Sequence, residues 1–439
     1  MPRRDRPPRT VIVGAGSGFG RRLTIDILSY PEFREGTLAL VDISRENLEP
    51  VAAFAERVIK AHGADVELLA TEDRRAALEG ADTVIVSIAV GGAAYQGPLY
   101  HAEVTIPQQY GLEQSVADTS GVGGIFRTLR TAPVMLEICR DMERLCPDAL
   151  LINYTNPMAM LCWVMNAATS IRSVGLCHSV QGTAHELAGY IGAPREELTY
   201  WVAGINHMAW FLELRRNGED AYPALRACLD NPETVARDPV RFEVLRYFDY
   251  FVTESSRHMS EYLPYFRRTP ELLERYGQKP SQVSAEHRSG RWEWQDPDFM
   301  AQLRGEKPVD LSPSHEYASH IMHAIACNEP LRINGNVSND RLITNLPDGC
   351  CVEVPCLVDG LGVHPCEIGD LPPQLASLNR SNVAVHELTV QAVLEQSRRK
   401  ALQAVLVDPL ASSVCNFREL EAMFGELCAA EGEWVEYLR

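Results

Sequence analysis

The feature that narrows the fold most is a short apolar run, residues 10–13 (Thr-Val-Ile-Val), leading straight into Gly14-Ala15-Gly16-Ser17-Gly18-Phe19-Gly20 and then a helix-like stretch, residues 21–30. A turn with so few Cβ atoms lets backbone approach a pyrophosphate closely, and the N–H groups at the helix start meet its charge. A second run, residues 37–41, ends in Asp42, 22 residues beyond Gly20, where a carboxylate can accept a hydrogen bond from a ribose 2′-hydroxyl and so favours NAD over NADP. The spacing is G-x-G-x-x-x-G rather than the six-residue fingerprint, and glycine turns also serve sterics alone. Strand, turn, helix and acid together make dinucleotide binding the expectation, with Gly14, Gly16, Ser17, Gly20 and Asp42 as contacts.

The alternation continues. Residues 45–62 are helix-like, 67–71 form a short run, and 81–89 (ADTVIVSIA) form a β-branched strand opening into Val90-Gly91-Gly92. Residues 149–153, 173–176 and 200–204 follow as strands, with a long amphipathic segment, 125–146, behind a polar glycine-rich loop that contains Asp118. Strands separated by helices predict a parallel sheet, a Rossmann-like doubly wound α/β unit whose ligands sit at the carboxyl ends of its strands. Past residue 213 the pattern is mixed. Residues 241–250 and 314–327 are helix-like, 334–337 and 351–354 read as hairpin strands, 383–407 as one long C-terminal helix, and 291–294 (Arg-Trp-Glu-Trp) as an aromatic, basic patch. Two domains are expected: residues 1–200 for the cofactor, and 201–439 as a mixed α+β substrate, metal and oligomerisation domain.

An acidic balance, 59 carboxylates against 41 Lys and Arg, argues against nucleic-acid or anionic-membrane partners, which call for clustered positive charge. The 12 cysteines are scattered through apolar stretches without the regular spacing of a disulfide framework, which suits a reducing compartment. Residues 1–10 are basic and proline-rich but lack an apolar signal core, and no run reaches membrane-span length. A cytoplasmic location is the expectation.

The chemistry concentrates between Asn153 and Glu213. Asn153 ends one predicted strand, Cys177-His178 end the next, and Asn206-His207 end the one after. A thiol and an imidazole at neighbouring strand tips are ligands for a metal whose remaining positions go to substrate oxygens and water, although a buried thiol and a core histidine would look the same. Asn153 suits a hydrogen bond to nicotinamide or a sugar hydroxyl, and Asp118 is the polar group of its loop best suited to substrate. Residues 253–262 (TESSRHMSEY) pack titratable groups between apolar flanks, so a buried role competes with a solvated helix face.

These motifs resemble glycoside hydrolase family 4, and within it the bacterial α-galactosidases, along nearly the whole chain. The carriers are the glycine loop, Asp118-Thr119-Ser120-Gly121-Val122-Gly123-Gly124, Ile152-Asn153-Tyr154-Thr155-Asn156-Pro157, Gly175-Leu176-Cys177-His178-Ser179-Val180-Gln181, Gly204-Ile205-Asn206-His207-Met208, Thr253-Glu254-Ser255-Ser256, Gly335-Asn336-Val337 and Cys351-Val352-Glu353-Val354. The Cys, His and Asn-Pro set separates this family from the lactate and malate dehydrogenases, whose Rossmann domain it resembles.

The resemblance implies hydrolysis of a small-molecule α-galactoside with NAD and a divalent metal, usually Mn²⁺. In that family NAD transiently oxidises sugar C3, a base removes the C2 proton, and the metal-stabilised enolate expels the glycosidic oxygen before water adds back. It implies Cys177 and His207 as metal ligands and His178 as the leaving-group acid. Tyr262, slightly ahead of His258, is the implied base, where relatives carry a Gly-Asp-Arg-His motif and this chain reads Ser255-Ser256-Arg257-His258. Asp118, Asn153, Asn206 and Arg257 are the implied substrate contacts. A homodimer or homotetramer is expected, without nucleic-acid or membrane partners. Substrate alternatives are an α-galacturonide or an α-glucoside. Readings of other classes are an NAD-dependent sugar dehydrogenase, which would accumulate NADH with product, and a non-catalytic NAD-sensing protein.

Overall fold

All the strands of the described chain, residues 6–92, 97–276 and 297–439 of a computed structural model, join one sheet of 12 strands. The 291–294 patch lies outside the described residues. In chain order the strands are β1 (Arg9–Val13), β2 (Glu35–Val41), β3 (Asp65–Thr71), β4 (Thr83–Val86), β5 (Leu150–Asn153), β6 (Ser173–Gly175), β7 (Leu198–Ile205), β8 (Met208–Arg216), β9 (Glu219–Asp220), β10 (Leu331–Ser338), β11 (Cys351–Asp359) and β12 (Gly362–Pro365). Their spatial order is β3-β2-β1-β4-β5-β6-β10-β11-β7-β8-β9, with β12 on β11. Pairing is parallel from β3 to β6 and antiparallel beyond, so the first six strands make the doubly wound 3-2-1-4-5-6 unit that the alternation predicts.

The strands are apolar at consecutive positions because both faces are covered. On β1, Val11 and Val13 face a core shared with α4 (Gly121–Leu145) and α5 (Met158–Ala168), whereas Ile12 faces Leu23 and Ile27 of α1 (Gly18–Ser29) and Leu48 and Val51 of α2 (Arg45–His62). Ser17 caps α1 by accepting from the Gly20 amide at 3.2 Å, and Ser44 caps α2 in the same way. No helix among the described residues is long and apolar enough to cross a membrane.

The structure departs from the sequence reading in four places. First, β6 and β7 are not neighbours, because the β10–β11 hairpin lies between them. Second, the glycines expected in a loop before residue 125 form the first turn of α4, where Gly123 and Gly124 lie so close to Ala117 and Thr119 that a Cβ would stand 2.5 and 2.8 Å from their backbone atoms. Third, Asn156-Pro157, a pair that by sequence alone caps and opens a helix, does not do so: the Asn156–Pro157 bond is cis and α5 begins at Met158. Fourth, the single C-terminal helix is two. Gln396 turns left-handed after α9 (Pro373–Glu395), and Ser397 caps a new helix, α10 (Arg398–Val407), by accepting from Lys400. A final helix, α11 (Phe417–Glu431), follows. The expected division at residue 200 falls inside β7.

The C-terminal helix is tied to the parallel unit by a buried charge cluster. The Arg130 guanidinium on α4 donates to Glu431 at 2.6 Å and to Glu103, on α3 (Pro98–Gln109), at 2.7 Å. Two carboxylates share one cation, and burial, with the Glu103 charge adding to it against the Arg130 attraction, pushes the Glu431 carboxyl up to about 7. A carboxyl whose folded pKa is raised binds its proton more tightly in the folded chain. Its stabilising contribution is full below the unfolded value and is lost as pH climbs to about 7. Glu431→Gln should therefore raise unfolding free energy at pH 8 by roughly 1 kcal/mol. The advantage should shrink towards pH 4.5, as measured by urea unfolding of both proteins across that range.

Candidate active site

The glycine turn is built as the spacing requires. Gly14 has φ +86, and a Cβ there would lie 2.0 Å from the Ser87 carbonyl oxygen; one on Gly20 would lie 2.1 Å from that of Ala15. These contacts press β1, the β4 exit and α1 together. Asp42 sits beside the turn, its carboxylate accepting from the Gly16 and Ser44 amides, each at 2.9 Å.

Cys177 and His207 arrive from strands three places apart, yet the Cys177 Sγ stands 3.3 Å from His207 Nε2. Cys177 leaves β6 just before helix α6 (Ser179–Tyr190). His207 occupies the tight turn between β7 and β8, whose ends pair Ile205 with Met208, and holds φ +61. Such a backbone favours glycine or asparagine. The separation is that of two donors each ~2.0–2.3 Å from one ion. Burial pushes the Cys177 thiol up, opposed by the Ser179 hydroxyl and amide and by Asn206. A cation would reverse that balance in favour of thiolate. His207 is buried, and its Nδ1 has no hydrogen-bond partner among the described residues. The donor set therefore fits a divalent ion.

Around this pair the fold gathers further groups. The ring of His258 meets that of His207 edge-on at 4.6 Å, and that of Tyr262 lies 6.4 Å from it. Both belong to α7 (Ser256–Tyr262). His258 Nδ1 is 4.0 Å from Asp118 and Nε2 3.7 Å from Glu254. Burial, followed by the charges of Asp118, Glu261 and Glu254, pushes the Tyr262 phenol well above 10. Asn206 is buried in the same turn as His207.

Three acids that the sequence reading did not single out complete the cluster. Burial and the nearby Cys177 push the Glu353 carboxyl on β11 well up, against the pull of His207. Although burial opposes it, the His258 and His207 rings hold the Glu254 carboxyl below its usual range. Glu254 also sits left-handed, at φ +77. Glu261, fully enclosed on α7, accepts from the amides of Ser115 at 2.7 Å, Val116 at 3.0 Å and Ala117 at 3.3 Å. It thereby pins the Asp118 loop to the helix carrying His258 and Tyr262. Short sequence spacing marked neither Glu353 nor Glu261, because each acts across more than 100 residues of chain; for Glu261 and for Glu254, four residues from His258, density of titratable groups in residues 253–262 was the one available signal.

Other expected residues are placed differently. The Asn153 amide is spent on its own turn, donating to the Thr155 carbonyl and accepting from its amide, each at 3.0 Å. Arg257 donates to the Ser115 carbonyl at 3.0 Å. His178 lies at the mouth with its side chain 75% exposed, 3.8 Å from Glu316.

The chain matches known proteins along most of its length. Residues 9–193 match the family 4 glycosyl hydrolase and residues 202–411 the family 4 glycosyl hydrolase C-terminal domain. The α-galactosidase of Bacillus subtilis (strain 168) is 38% identical, over 97% of this chain and 99% of the relative. The α-galactosidase of Rhizobium meliloti (strain 1021) is 34% identical, over 97% of this chain and 89% of the relative. Among solved structures, the putative glucosidase lplD from Bacillus subtilis superposes with a TM-score of 0.83 at 26% identity, covering 96% of this chain and 99% of that one. A 6-phospho-α-glucosidase from gut microorganisms, in complex with NAD and Mn²⁺, has the same fold at 19% identity, with a TM-score of 0.77 over 98% and 99% of the two chains.

Two substitutions test the geometry. His207→Asn replaces a ring in a left-handed turn by a residue that tolerates it. The thermal midpoint in chelator should not fall, whereas Mn²⁺ affinity measured by calorimetry should drop at least about 100-fold. Glu261→Ala removes the acceptor that the amides of residues 115–117 share. It should cost about 1–3 kcal/mol in urea unfolding and speed hydrogen exchange at residues 115–117.

Proposed function

The chain belongs to glycosyl hydrolase family 4 and is a glycoside hydrolase, and from that premise we propose that it cleaves α-galactosides with NAD and a divalent ion, manganese first, as resident cofactors. The observation that carries the reading is the Cys177 sulfur 3.3 Å from the His207 nitrogen, on a sheet whose first half carries a dinucleotide turn. The substrate class is supported by the α-galactosidase relatives, at 38% and 34% identity over nearly the whole chain. The cofactor pair is supported by the donor set and by the NAD and Mn²⁺ complex of a structural neighbour.

When bound, the nicotinamide supplies a hydride acceptor and donor for sugar C3, and the ion a Lewis acid for the oxygens on C2 and C3. Gly14, Gly16, Ser17 and Gly20 would cradle the pyrophosphate and Asp42 the adenosine ribose, with Asn153 shaping the strand tip beside the nicotinamide. Cys177 and His207 would hold the ion. Asp118, Asn206 and Arg257 would orient the sugar hydroxyls. His258, between two carboxylates, takes the C2 proton in this reading, because burial keeps the Tyr262 phenol protonated. Tyr262 then donates a hydrogen bond to the same oxygens. His178, exposed at the mouth, protonates the departing glycosidic oxygen. Residues 1–200 carry the cofactor and 201–439 most of the sugar contacts, in a dimer or tetramer.

The test is release of p-nitrophenol from the α-galactoside by reduced protein, with NAD⁺ and Mn²⁺ supplied singly, together, or with chelator. Activity should need both and should be at least about tenfold lower on the α-glucoside and α-galacturonide. Activity indifferent to NAD⁺ and chelator would end the proposal. Exchange of the sugar C2 proton with deuterated solvent should be lost in His258→Asn and retained in Tyr262→Phe; the opposite pattern would exchange the two roles.

A further inference from the structure

Apart from this centre, a second set of metal-ligand donors converges on the solvent-facing end of helix α8 (Tyr317–Cys327). His323 and Cys327 stand four residues apart on one helix face, and Glu32, in the short turn of 3-10 helix Pro31–Phe33 after α1, faces them. One ligand atom from each lies within 4.8 Å of the others. We propose that Glu32, His323 and Cys327 form a binding site for a soft divalent transition metal of the zinc class, separate from the ion at Cys177 and His207.

The donor chemistry is the first argument. Thiolate, imidazole and carboxylate on two elements make a three-ligand set that leaves a fourth position to water. The three need close by only about 1 Å to reach the spacing of ligands on one ion, and an exposed thiol with half-exposed Glu32 and His323 can move that far.

The second argument is the setting of the imidazole. His323 Nδ1 faces Glu32 in a very short contact, while Nε2 stands 3.2 Å from the Glu329 carboxylate. With Nδ1 on a metal, Nε2–H donates to Glu329, and the carboxylate fixes the tautomer and strengthens the ligand, as around most histidine-bound metals. Tyr30 stacks on the His323 ring, centroids 4.4 Å apart and 22° from parallel, and its hydroxyl is held 2.5 Å from His320 Nδ1. Ring plane and tautomer are thus prepared before any ion arrives. A salt bridge between His323 and two carboxylates explains the pairing but not the thiol at the same apex.

The consequence is mechanical. Glu32 belongs to the cofactor half and α8 to the second half, and the opposite end of α8 begins beside Glu316, the neighbour of His178. A bound ion would clip the helix that borders the active-site mouth to the segment leaving α1.

The test is zinc stoichiometry of the full, chelator-stripped, reduced protein, read by competition with a chromophoric chelator. Two ions per chain are expected for the natural sequence and one for Cys327→Ser. The Cys177→Ser protein should hold one, and the double variant none. In parallel, zinc should slow iodoacetamide alkylation of Cys327, mapped by mass spectrometry, at least about tenfold in the Cys177→Ser background, with protection lost in His323→Ala and Glu32→Gln. One ion in the natural protein with none in Cys177→Ser, or alkylation of Cys327 indifferent to zinc, would overturn the proposal. One ion in both the natural and Cys177→Ser proteins would keep this site and instead undercut the ion at Cys177. Melting curves of each variant without metal confirm that it is folded.

Discussion

One row of the sheet sets the positions of everything else. In register, Thr71, Val41, Val13, Val86, Asn153, Gly175, Asn336, Glu353, Gly204 and Ala209 lie side by side from β3 to β8. The glycine turn begins one residue past Val13, Asp42 one past Val41, Cys177 two past Gly175 and His207 three past Gly204. Strands stand about 4.8 Å apart, so β6 and β7, three spacings distant, would hold their tips about 14 Å apart if the chains simply ran on. Their exits bend inward over Asn336 and Glu353 instead. β6 and β7 each pair with the intervening hairpin through one residue only, Gly175 with Asn336 and Gly204 with Glu353. A Cβ on Gly175 would strike Met158, Cys162 and Asn336, and one on Gly204 would strike Met208 and Ala209. Close approach at both ends of the four-residue floor is what brings sulfur and imidazole together above it.

The electrostatics above that floor are one-sided. Cys177, Tyr262 and Glu353 are all pushed toward their protonated forms, by burial first and then by one another and the neighbouring acids. The opposing partners are the His258 and His207 rings, which pull the Glu254 carboxyl below its usual range. The Arg257 and Arg241 guanidiniums donate to the carbonyls of Ser115 and Glu254. A divalent ion at Cys177 and His207 would lower the cost of ionising each of these groups at once. The same crowding that makes the thiol and phenol reluctant acids thus prepares them to respond together to one cation.

Much of this was legible in the sequence, because the first half of the fold is local. Apolar runs, Gly14 to Gly20 and Asp42 lie within a few turns of one another, and period and spacing suffice. Cys177 and His207 were legible as residues at strand tips but not as a pair on separated strands. The hairpin that intervenes is supplied by residues 331–359, and pairing across such a distance leaves no periodic trace. The roles of Glu261 and Glu353 were hidden for the same reason: each is defined by what it meets, the amides of residues 115–117 in one case and the row between Asn336 and Gly204 in the other. Asn153 was read as a free amide because a strand end and a turn-forming asparagine look alike until the Thr155 backbone is seen to take both its groups. The break at Gln396 carries no glycine, so the one cue was Ser397 three residues before Lys400, too common a pair to end a helix on paper.

Three residues other than glycine hold left-handed backbones within this region, Ala117, His207 and Glu254, and each costs of order 1 kcal/mol that local structure must offset. The offsets are visible. The Ala117 amide is held by Glu261. Glu254 is fixed by its carbonyl to Arg241 at 2.7 Å and by its amide to Thr183 at 3.1 Å. The hairpin carrying His207 is tied to the same segment twice, by Thr253 N–H to the Ala209 carbonyl and by Ala209 N–H to the Thr253 hydroxyl. A turn with glycine at 207 would relax without these ties but would present nothing to an ion. An extended backbone at 254 would point its carboxylate away from His258. Strain in the turn and rigidity around it are therefore one design: the bonds that absorb the cost of the backbone are also those that hold imidazole and carboxylate to a fixed distance from the sulfur.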